Sequence, residues 1–238
     1  MHHIVLERWS RGRSALHRRD ARAKIVALLV FLVALATAER AIPQLAAALF
    51  LLLCAALVWA RIPVLAAMAR AGVALPFAAT FAAVSWISGD AARGAILAVK
   101  SYLSALAVVT VVATTPLPAL LRGLETMRVP RFLLTVAQFL YRYLFVVSEE
   151  GQHMAKAAAA RGASAGRLRF RVAAGALAVL FARSYGRAQE IHGAMLARGY
   201  NGRLPTAAAP RFGASDAVFL ASASLAPALV RIALDRFA

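Results

Sequence analysis

The tripeptide Ala-Arg-Gly occurs twice in this chain, each time after a stretch rich in alanine and typical of a helix. One copy lies in KAAAARGASAG and the other in HGAMLARGYNG, so the two arginines are 37 residues apart. A guanidinium group is planar and carries five N–H donors, so it binds a carboxylate or backbone carbonyl groups with paired hydrogen bonds. The residues singled out as candidate binding residues are Ala160, Arg161, Gly162, Ala197, Arg198 and Gly199.

The pattern has two interpretations. An arginine in the last turn of a helix interacts favourably with the negative end of the helix dipole, and a following glycine ends the helix in the left-handed conformation. The same residues also make a slim helix end with a cationic tip, because small side chains precede both arginines, and such a tip fits a groove in a partner protein. The residues alone leave capping and docking open.

Catalytic and energy-coupling motifs are absent from the sequence. No lysine follows a glycine, which excludes the phosphate-binding G-x-x-x-x-G-K-[ST] loop. No Ser/His/Asp set suggests a hydrolase, and three carboxylates, Glu39, Asp90 and Asp235, fall at the ends of apolar segments rather than inside them. Asp216 lies barely inside the last segment, so a proton-coupled carrier is disfavoured.

Histidine and cysteine spacing does not indicate a metal centre, since no H-x-x-x-H or C-x-x-C pair occurs. His2 and His3 follow the amino terminus, and His3 with the terminal nitrogen could chelate Cu²⁺ or Ni²⁺ in a square plane. A frayed, solvated terminus is the alternative. We expect no metal or other cofactor bound by this chain elsewhere.

Composition indicates a membrane protein. Apolar residues make up 62% of the chain, charged residues only 16%, and the mean hydropathy is +0.70. The net charge of +18 is concentrated: seven basic residues lie in 1–24 and fourteen in 114–212, beside apolar runs. That asymmetry follows the positive-inside rule and predicts that both stretches are cytoplasmic, with no nucleic-acid partner.

Four apolar segments precede the second basic stretch and one follows it. They predict membrane helices at 24–38, 41–60, 62–87, 95–113 and 213–231. Pro63 and Pro76 should kink the third helix, Pro227 should break the fifth, and Lys100 should reach up to the outer interface.

Between them, residues 114–212 are too charged for the bilayer but periodic. Two long amphipathic helices are expected there, from Pro130 towards Arg161 and from Leu168 to Arg198. The predicted organisation is therefore a basic cytoplasmic N-terminus at 1–24, a four-span region at 25–113, a coupling-helix region at 114–212 and a C-terminal membrane helix at 213–238. The fold class is an all-α membrane protein with about five transmembrane helices and two or three long cytoplasmic amphipathic helices.

In this setting the chain resembles the transmembrane T component of energy-coupling-factor (ECF) transporters, and in particular the CbiQ type of cobalt and nickel importers. The motifs that carry the resemblance span nearly the whole chain: HRRDARAKI, TTPLPALLRGLETMRVP, YRYLFVVSEE, AKAAAARG and FARSYGRAQEIHGAMLARGYNGRLP. Relatives usually have Asp-Pro-Arg in the first motif, where this chain has Ala21 in place of the proline.

The resemblance implies a non-catalytic scaffold in the bacterial cytoplasmic membrane. In that family two coupling helices cross, and tips matching Arg161 and Arg198 insert into grooves of two ATPase subunits, which bind the ATP and magnesium. Their motion passes to a separate substrate-binding membrane (S) subunit. Cobalt, destined for cobalamin biosynthesis, is the expected cargo. A nickel or vitamin importer is the alternative, and a stand-alone secondary carrier or an intramembrane enzyme is a more distant one.

Overall fold

The computed structural model describes residues 9–10, 12, 14–38, 42–162, 166–202 and 212–237, and each regular element of three residues or more in these ranges is a helix. In chain order the α-helices are α1 (Ala21–Ala36), α2 (Ile42–Trp59), α3 (Val64–Ala71), α4 (Leu75–Ile87), α5 (Ala91–Thr114), α6 (Leu117–Thr126), α7 (Arg131–Ala160), α8 (Gly166–Ala197) and α9 (Ala214–Phe237). The predicted all-α membrane architecture is confirmed, and two aspartates mark helix starts: Asp20 accepts from Arg22 N at α1, and Asp90 from Arg93 N at α5.

The chain divides into two compact units. The first joins Met1–Met127 with Ala209–Ala238, and the second is Arg128–Ala208. Helix α6 therefore groups with the membrane helices, where an added Cβ at Gly123 would lie 3.2 Å from the Ala21 side chain. The predicted coupling region began at residue 114, whereas the division by contacts falls after Met127.

Helix α5 is the centre of the first unit. It packs against α1, α2, α3 and α4, and its Leu103 and Leu106 are buried with Leu49 and Leu57 of α2. These leucines are inaccessible both to lipid and to water, so they hold the helices together by close packing. Gly94 allows α4 to approach α5, since a Cβ there would lie 2.9 Å from the Ala82 carbonyl oxygen.

Two lysines cap the ends of neighbouring antiparallel helices. Lys24 of α1, only 2% exposed, donates to the Thr114 carbonyl oxygen and to Thr115 Oγ1, both at 2.9 Å, at the end of α5. Lys100 of α5 donates to the Ala36 and Ala38 carbonyl oxygens at 3.2 and 2.7 Å, at the end of α1. Each ammonium group thus satisfies carbonyls that lack a partner within their own helix and faces the negative end of that helix dipole.

The structure bears on three predictions of detail. Lys100 bonds to the end of α1, which is the outer end in the predicted topology, so this bond is compatible with the predicted reach of Lys100 towards the outer interface. Pro227 does not break the last helix, since α9 continues through it; neighbouring helices satisfy the freed backbone groups of such prolines in membranes. The third segment is interrupted as expected, by a 3₁₀ turn at Gly72–Ala74 directly before Pro76.

Three helical segments in the described ranges are long and apolar enough to cross a membrane: Val64–Ile87, Ala91–Thr114 and Arg131–Ala160. A shorter apolar helix covers Pro43–Trp59, and α1 has 16 residues. The most apolar 18-residue stretch within Arg131–Ala160 has a mean hydropathy of 1.2, against 2.0 for the corresponding stretch within Ala91–Thr114. Composition does not separate a span from an amphipathic helix here, and the cytoplasmic location of α7 stays a prediction.

The lysine cap at the end of α5 predicts a measurable loss of stability. Replacing Lys24 by Met (Lys24→Met) leaves the Thr114 carbonyl without its donor and removes the positive charge beside Asp20 and Asp216. We expect the free energy of unfolding to fall by about 1–3 kcal/mol. Thermal melting of the full chain in detergent micelles measures it. The control is Arg93→Met, which removes an exposed ion pair to Asp90 and should change little; equal melting temperatures for Lys24→Met and the wild type would contradict the capping role.

Candidate docking site at two helix ends

Both Ala-Arg-Gly tripeptides end the long helices of the second unit. Ala160 is the last residue of α7 and Ala197 the last residue of α8. All six residues of the two tripeptides are exposed. The predicted helix ends are therefore in place to within a residue.

Glycine closes both helices in the way that the sequence predicts. Gly162 has φ +82° and Gly199 has φ +79°, the left-handed conformation that glycine adopts without steric cost. Gly162 N donates to the Ala159 carbonyl oxygen at 3.1 Å, and Gly199 N to that of Leu196 at 2.9 Å. Both helices thus end in the glycine caps predicted from the tripeptide, a geometry that leaves docking untested.

The second cap is a complete Schellman motif. Tyr200 N donates to the Met195 carbonyl oxygen at 3.0 Å, in addition to the bond from Gly199. These two bonds satisfy the last carbonyl groups of α8 without any neighbouring element. The helix can therefore end in open space, and an added Cβ at either glycine would meet nothing within 4 Å.

The arginine side chains remain available at these ends. Arg161 and Arg198 are exposed, and neither forms an ion pair with a carboxylate in the part of the chain that the structure describes. Their backbone N–H groups are used within the helix, bonding to residues three and four positions earlier. The helix ends thus present two guanidinium groups whose donors are free for a partner.

The structure does not bring the two tips together. Arg161 lies just before the start of α8, and Arg198 follows its end. Helix α8 has 32 residues, so about 48 Å of helix lies between the two arginines at 1.5 Å per residue. The two tips therefore form two separate sites rather than one composite site.

The two long helices α7 and α8, called the arms below, are joined by one acidic residue of α7. Glu150 Oε1 accepts from Arg183 Nη1 at 2.8 Å, and its Oε2 lies 3.6 Å from Arg187 Nη2. By sequence alone, Glu149, Glu150 and Glu190 are all plausible partners of these two arginines, and nothing in the sequence distinguishes among them. Glu149 instead lies 3.7 Å from the ring of His153 on its own helix.

Beyond this ion pair the arms approach through small side chains. A cleft of about 590 Å³ separates them, with Gly151 close to Leu180 at one end. Its lining is mostly alanine and aliphatic: Met154, Ala155, Ala158, Ala159, Val172, Ala173, Ala176 and Leu177. The small side chains thus leave open space between the two helices.

A metal site would need several His, Cys, Asp or Glu side chains in one place. Within the described residues, no three His, Cys, Asp or Glu side chains lie close enough together to hold a metal ion. The candidate ligands His2 and His3 lie outside the described residues. The arrangement that the structure does offer is a pair of exposed, glycine-capped helix ends, each with one arginine.

Apolar helices of membrane-spanning length, in a chain whose described regular elements are helices, define the class: an all-α membrane protein. A family model described as cobalt transport protein, CbiQ, matches residues 12–207, and the chain belongs to this family. The chain is also 37% identical over 92 residues to the cobalt transport protein CbiQ of Rhodobacter capsulatus. That alignment spans 38% of this chain and 38% of the relative. The family resemblance drawn from the motifs is confirmed.

The cap at Arg198 predicts opposite effects for two glycine substitutions on one helix. Gly199→Ala forces a side chain into the left-handed conformation and should cost about 1 kcal/mol. Gly193→Ala, in the interior of α8 with nothing within 4 Å, should stabilise the helix by about 0.5–1 kcal/mol. Thermal melting of both full-length variants measures the difference, and stabilisation by Gly199→Ala would contradict the cap geometry.

The Glu150 ion pair predicts a salt-dependent link between the arms. Glu150→Gln removes the charge that attracts Arg183 and Arg187, so it should lower the melting temperature slightly at low ionic strength. The difference from the wild type should shrink in high salt, because screening weakens exposed pairs. Glu149→Gln is the matched control on the same helix and should show a smaller change. If Glu150→Gln and Glu149→Gln melted at the same temperature at low salt, Glu150 would not link the two helices.

Proposed function

We propose that this chain is the transmembrane scaffold (T) subunit of an ATP-driven ECF-type importer for cobalt in the bacterial cytoplasmic membrane. Membership in the cobalt transport family supports the cargo and the role in transport. The chain catalyses no reaction of its own under this proposal. Two copies of a cytoplasmic ABC-type ATPase supply ATP hydrolysis, with magnesium, and a separate S subunit in the membrane binds the substrate.

The observation that carries the proposal is the duplication of the tip. The ends of α7 and α8 share the sequence Ala-Arg-Gly, the left-handed glycine and the exposed guanidinium, yet they lie about 48 Å of helix apart. Duplicated surfaces at that separation suit two copies of one partner, each receiving one tip. A single partner with one groove would need only one.

Docking supplies the arginines with the partners that they lack. An arginine inserted into a groove loses water, and a buried charge without a partner costs several kcal/mol. Each receiving groove must therefore offer a carboxylate or several carbonyl oxygens. The planar fork of Arg161 or Arg198 can bind these bidentately, which fixes its direction as well as its position.

The arms must also be stiff enough to transmit a displacement. Continuous helices of 30 and 32 residues form α7 and α8, and Glu150 links them to each other. A tip moved by closure of the ATPases therefore carries its helix with it. This chain acts as a lever in the proposed mechanism.

Exposed apolar side chains on α7 support a further contact of the arms. Phe132 is 75% exposed and Leu140 is 65% exposed, and both fall on an apolar stripe whose residues recur at steps of three and four along 132–147 in the sequence. Side chains of this size in such numbers require an apolar cover in the cell. Under the proposal, the bilayer surface or the S subunit provides it.

Removing either tip charge tests the proposal. Arg161→Ala and Arg198→Ala each delete the paired hydrogen bonds to one ATPase, so each should weaken co-purification of the ATPase and reduce ATP-dependent cobalt uptake at least about tenfold. The measurement uses the assembled complex in reconstituted vesicles, with labelled cobalt and with nickel as a competing cargo. The double variant should lose uptake altogether.

The matched controls also remove one positive charge each, but from positions away from the tips. Lys156→Ala removes an exposed cation from α7, and Arg171→Ala removes one from α8. Both should retain uptake and ATPase binding. Full transport by both tip variants would mean that the arginines only cap their helices. Cobalt uptake by this chain alone, without ATP or partners, would indicate a secondary carrier instead.

A further inference from the structure

An arginine occupies a backbone conformation that normally belongs to glycine at the end of α2. Arg61 has φ +57°. Its N–H donates to the Val58 carbonyl oxygen at 2.9 Å, and Ile62 N donates to that of Leu57 at 3.0 Å. This is the Schellman pattern, with arginine at the position where glycine is preferred because it has no Cβ.

The choice of arginine therefore costs free energy that glycine would save, and its side chain must have another use. The guanidinium is exposed, and no described carboxylate pairs with it. Its neighbours Ala60 and Ile62 are buried, which anchors the backbone on both sides. A fixed backbone with a free cationic side chain is the geometry of a binding residue.

Arg61 lines a cleft of about 480 Å³ in the first unit. The cleft lies between the described residues of 9–17, here called the N-terminal segment, and the end of α2, and its described lining contains no carboxylate. Its polar and aromatic lining residues are Trp9, Ser14, His17, Trp59 and Arg61. Two indoles, a hydroxyl, an imidazole and a guanidinium thus face one space. The lining is apolar on one part and hydrogen-bonding on another.

The polar wall of the cleft is held in place by internal bonds. His17 Nε2 lies 2.8 Å from the Trp9 carbonyl oxygen, and His17 Nδ1 lies 2.7 Å from Ser14 Oγ. Gly12 lies against the imidazole so closely that an added Cβ would come within 2.6 Å of it. The N-terminal segment is thereby fixed around His17, and the cleft has a formed wall.

A second cationic side chain adjoins the cleft. The guanidinium carbon of Arg70 lies 3.8 Å from the centroid of the Trp9 ring, which itself lines the cleft, and Arg70 Nη1 is buried without a hydrogen-bond partner in the described residues. Arg18 and Arg19 follow His17 directly in the sequence. A ligand in this cleft meets an excess of positive charge, so an anion fits.

The position of the cleft relative to the membrane indicates which class of anion it binds. Helix α2 is apolar, and the positive-inside asymmetry places its end, with Trp59, at the cytoplasmic interface. Trp59 is 60% exposed, and tryptophan is typical of the level of the lipid headgroups. Basic pockets among membrane helices on this side bind acidic lipid headgroups.

We propose that this cleft binds the phosphodiester headgroup of an anionic phospholipid of the inner leaflet, with Arg61 as the phosphate ligand. The two indoles contact the glycerol and the upper acyl chain, and Arg61 donates paired hydrogen bonds to the phosphate oxygens. The site secures the N-terminal segment to the end of α2. It lies in the first unit, apart from the two arginine tips.

The test uses the full-length chain in detergent, titrated with short-chain phosphatidylglycerol, with phosphatidylcholine of the same chain length, and with inorganic phosphate. Arg61→Gly relieves the backbone and removes the ligand. Without lipid its melting temperature should equal or exceed that of the wild type, whereas its affinity for phosphatidylglycerol should fall about tenfold. Intrinsic tryptophan fluorescence reports binding, since two of the three tryptophans line the cleft.

Arg128 provides a matched control, because it is also an exposed arginine with positive φ, +65°, but it does not line the cleft. Arg128→Gly should keep wild-type lipid affinity. Arg61→Gln, which keeps a side chain at the site but removes its charge, should lose affinity as Arg61→Gly does. Wild-type affinity for phosphatidylglycerol in both Arg61 variants would overturn the proposal, as would equal binding of phosphatidylcholine or of inorganic phosphate by the wild type.

Discussion

The last carbonyl groups of an α-helix have no partner within the helix, and in an apolar molecule water does not supply one. Most of the architecture of this chain depends on how that requirement is met. At two helix ends of the first unit, side chains of neighbouring helices meet it: Lys24 bonds to the end of α5, and Lys100 to the end of α1. These bonds join helix ends to helix sides and fix the register of α1 against α5.

The second unit meets the same requirement locally. Gly162 and Gly199 close α7 and α8 with backbone bonds alone, so neither end needs a neighbouring element. A helix capped in this way can project, and its terminal arginine keeps all its side-chain donors. Local caps also end α2 and α4 of the first unit, at Arg61 and Gly89, so a local cap alone does not distinguish the two units. The proposed lever depends on the locally capped ends of α7 and α8, and the proposed lipid cleft on a variation of such an end at Arg61.

Local signals in the sequence predicted most of the fold. Helix bounds follow from apolar runs, and the glycine caps from the repeated tripeptide. Asp20 and Asp90 also carried a usable signal, because aspartate before an apolar run is typical of a helix start. The persistence of α9 through Pro227 was not predictable from local rules, since neighbouring helices decide whether a proline breaks a membrane helix.

Features that depend on contacts between distant residues could not be predicted from the sequence. Arg183 pairs with Glu150, 33 residues earlier in the chain, rather than with Glu149 or Glu190. Which of these carboxylates it meets depends on how α7 packs against α8. The left-handed backbone of Arg61 was missed because glycine is the usual signal for it. The burial of Lys24 depends on a carbonyl that follows it by 90 residues.

Photo-cross-linking in the assembled transporter tests the account most directly. A photoreactive amino acid is placed at Ala160, at Ala197 or, as an exposed mid-helix position, at Tyr185 of α8, which is 60% exposed. The account predicts cross-links to an ATPase subunit from both tip positions and none from Tyr185. Cross-links from Tyr185 together with none from either tip would contradict it.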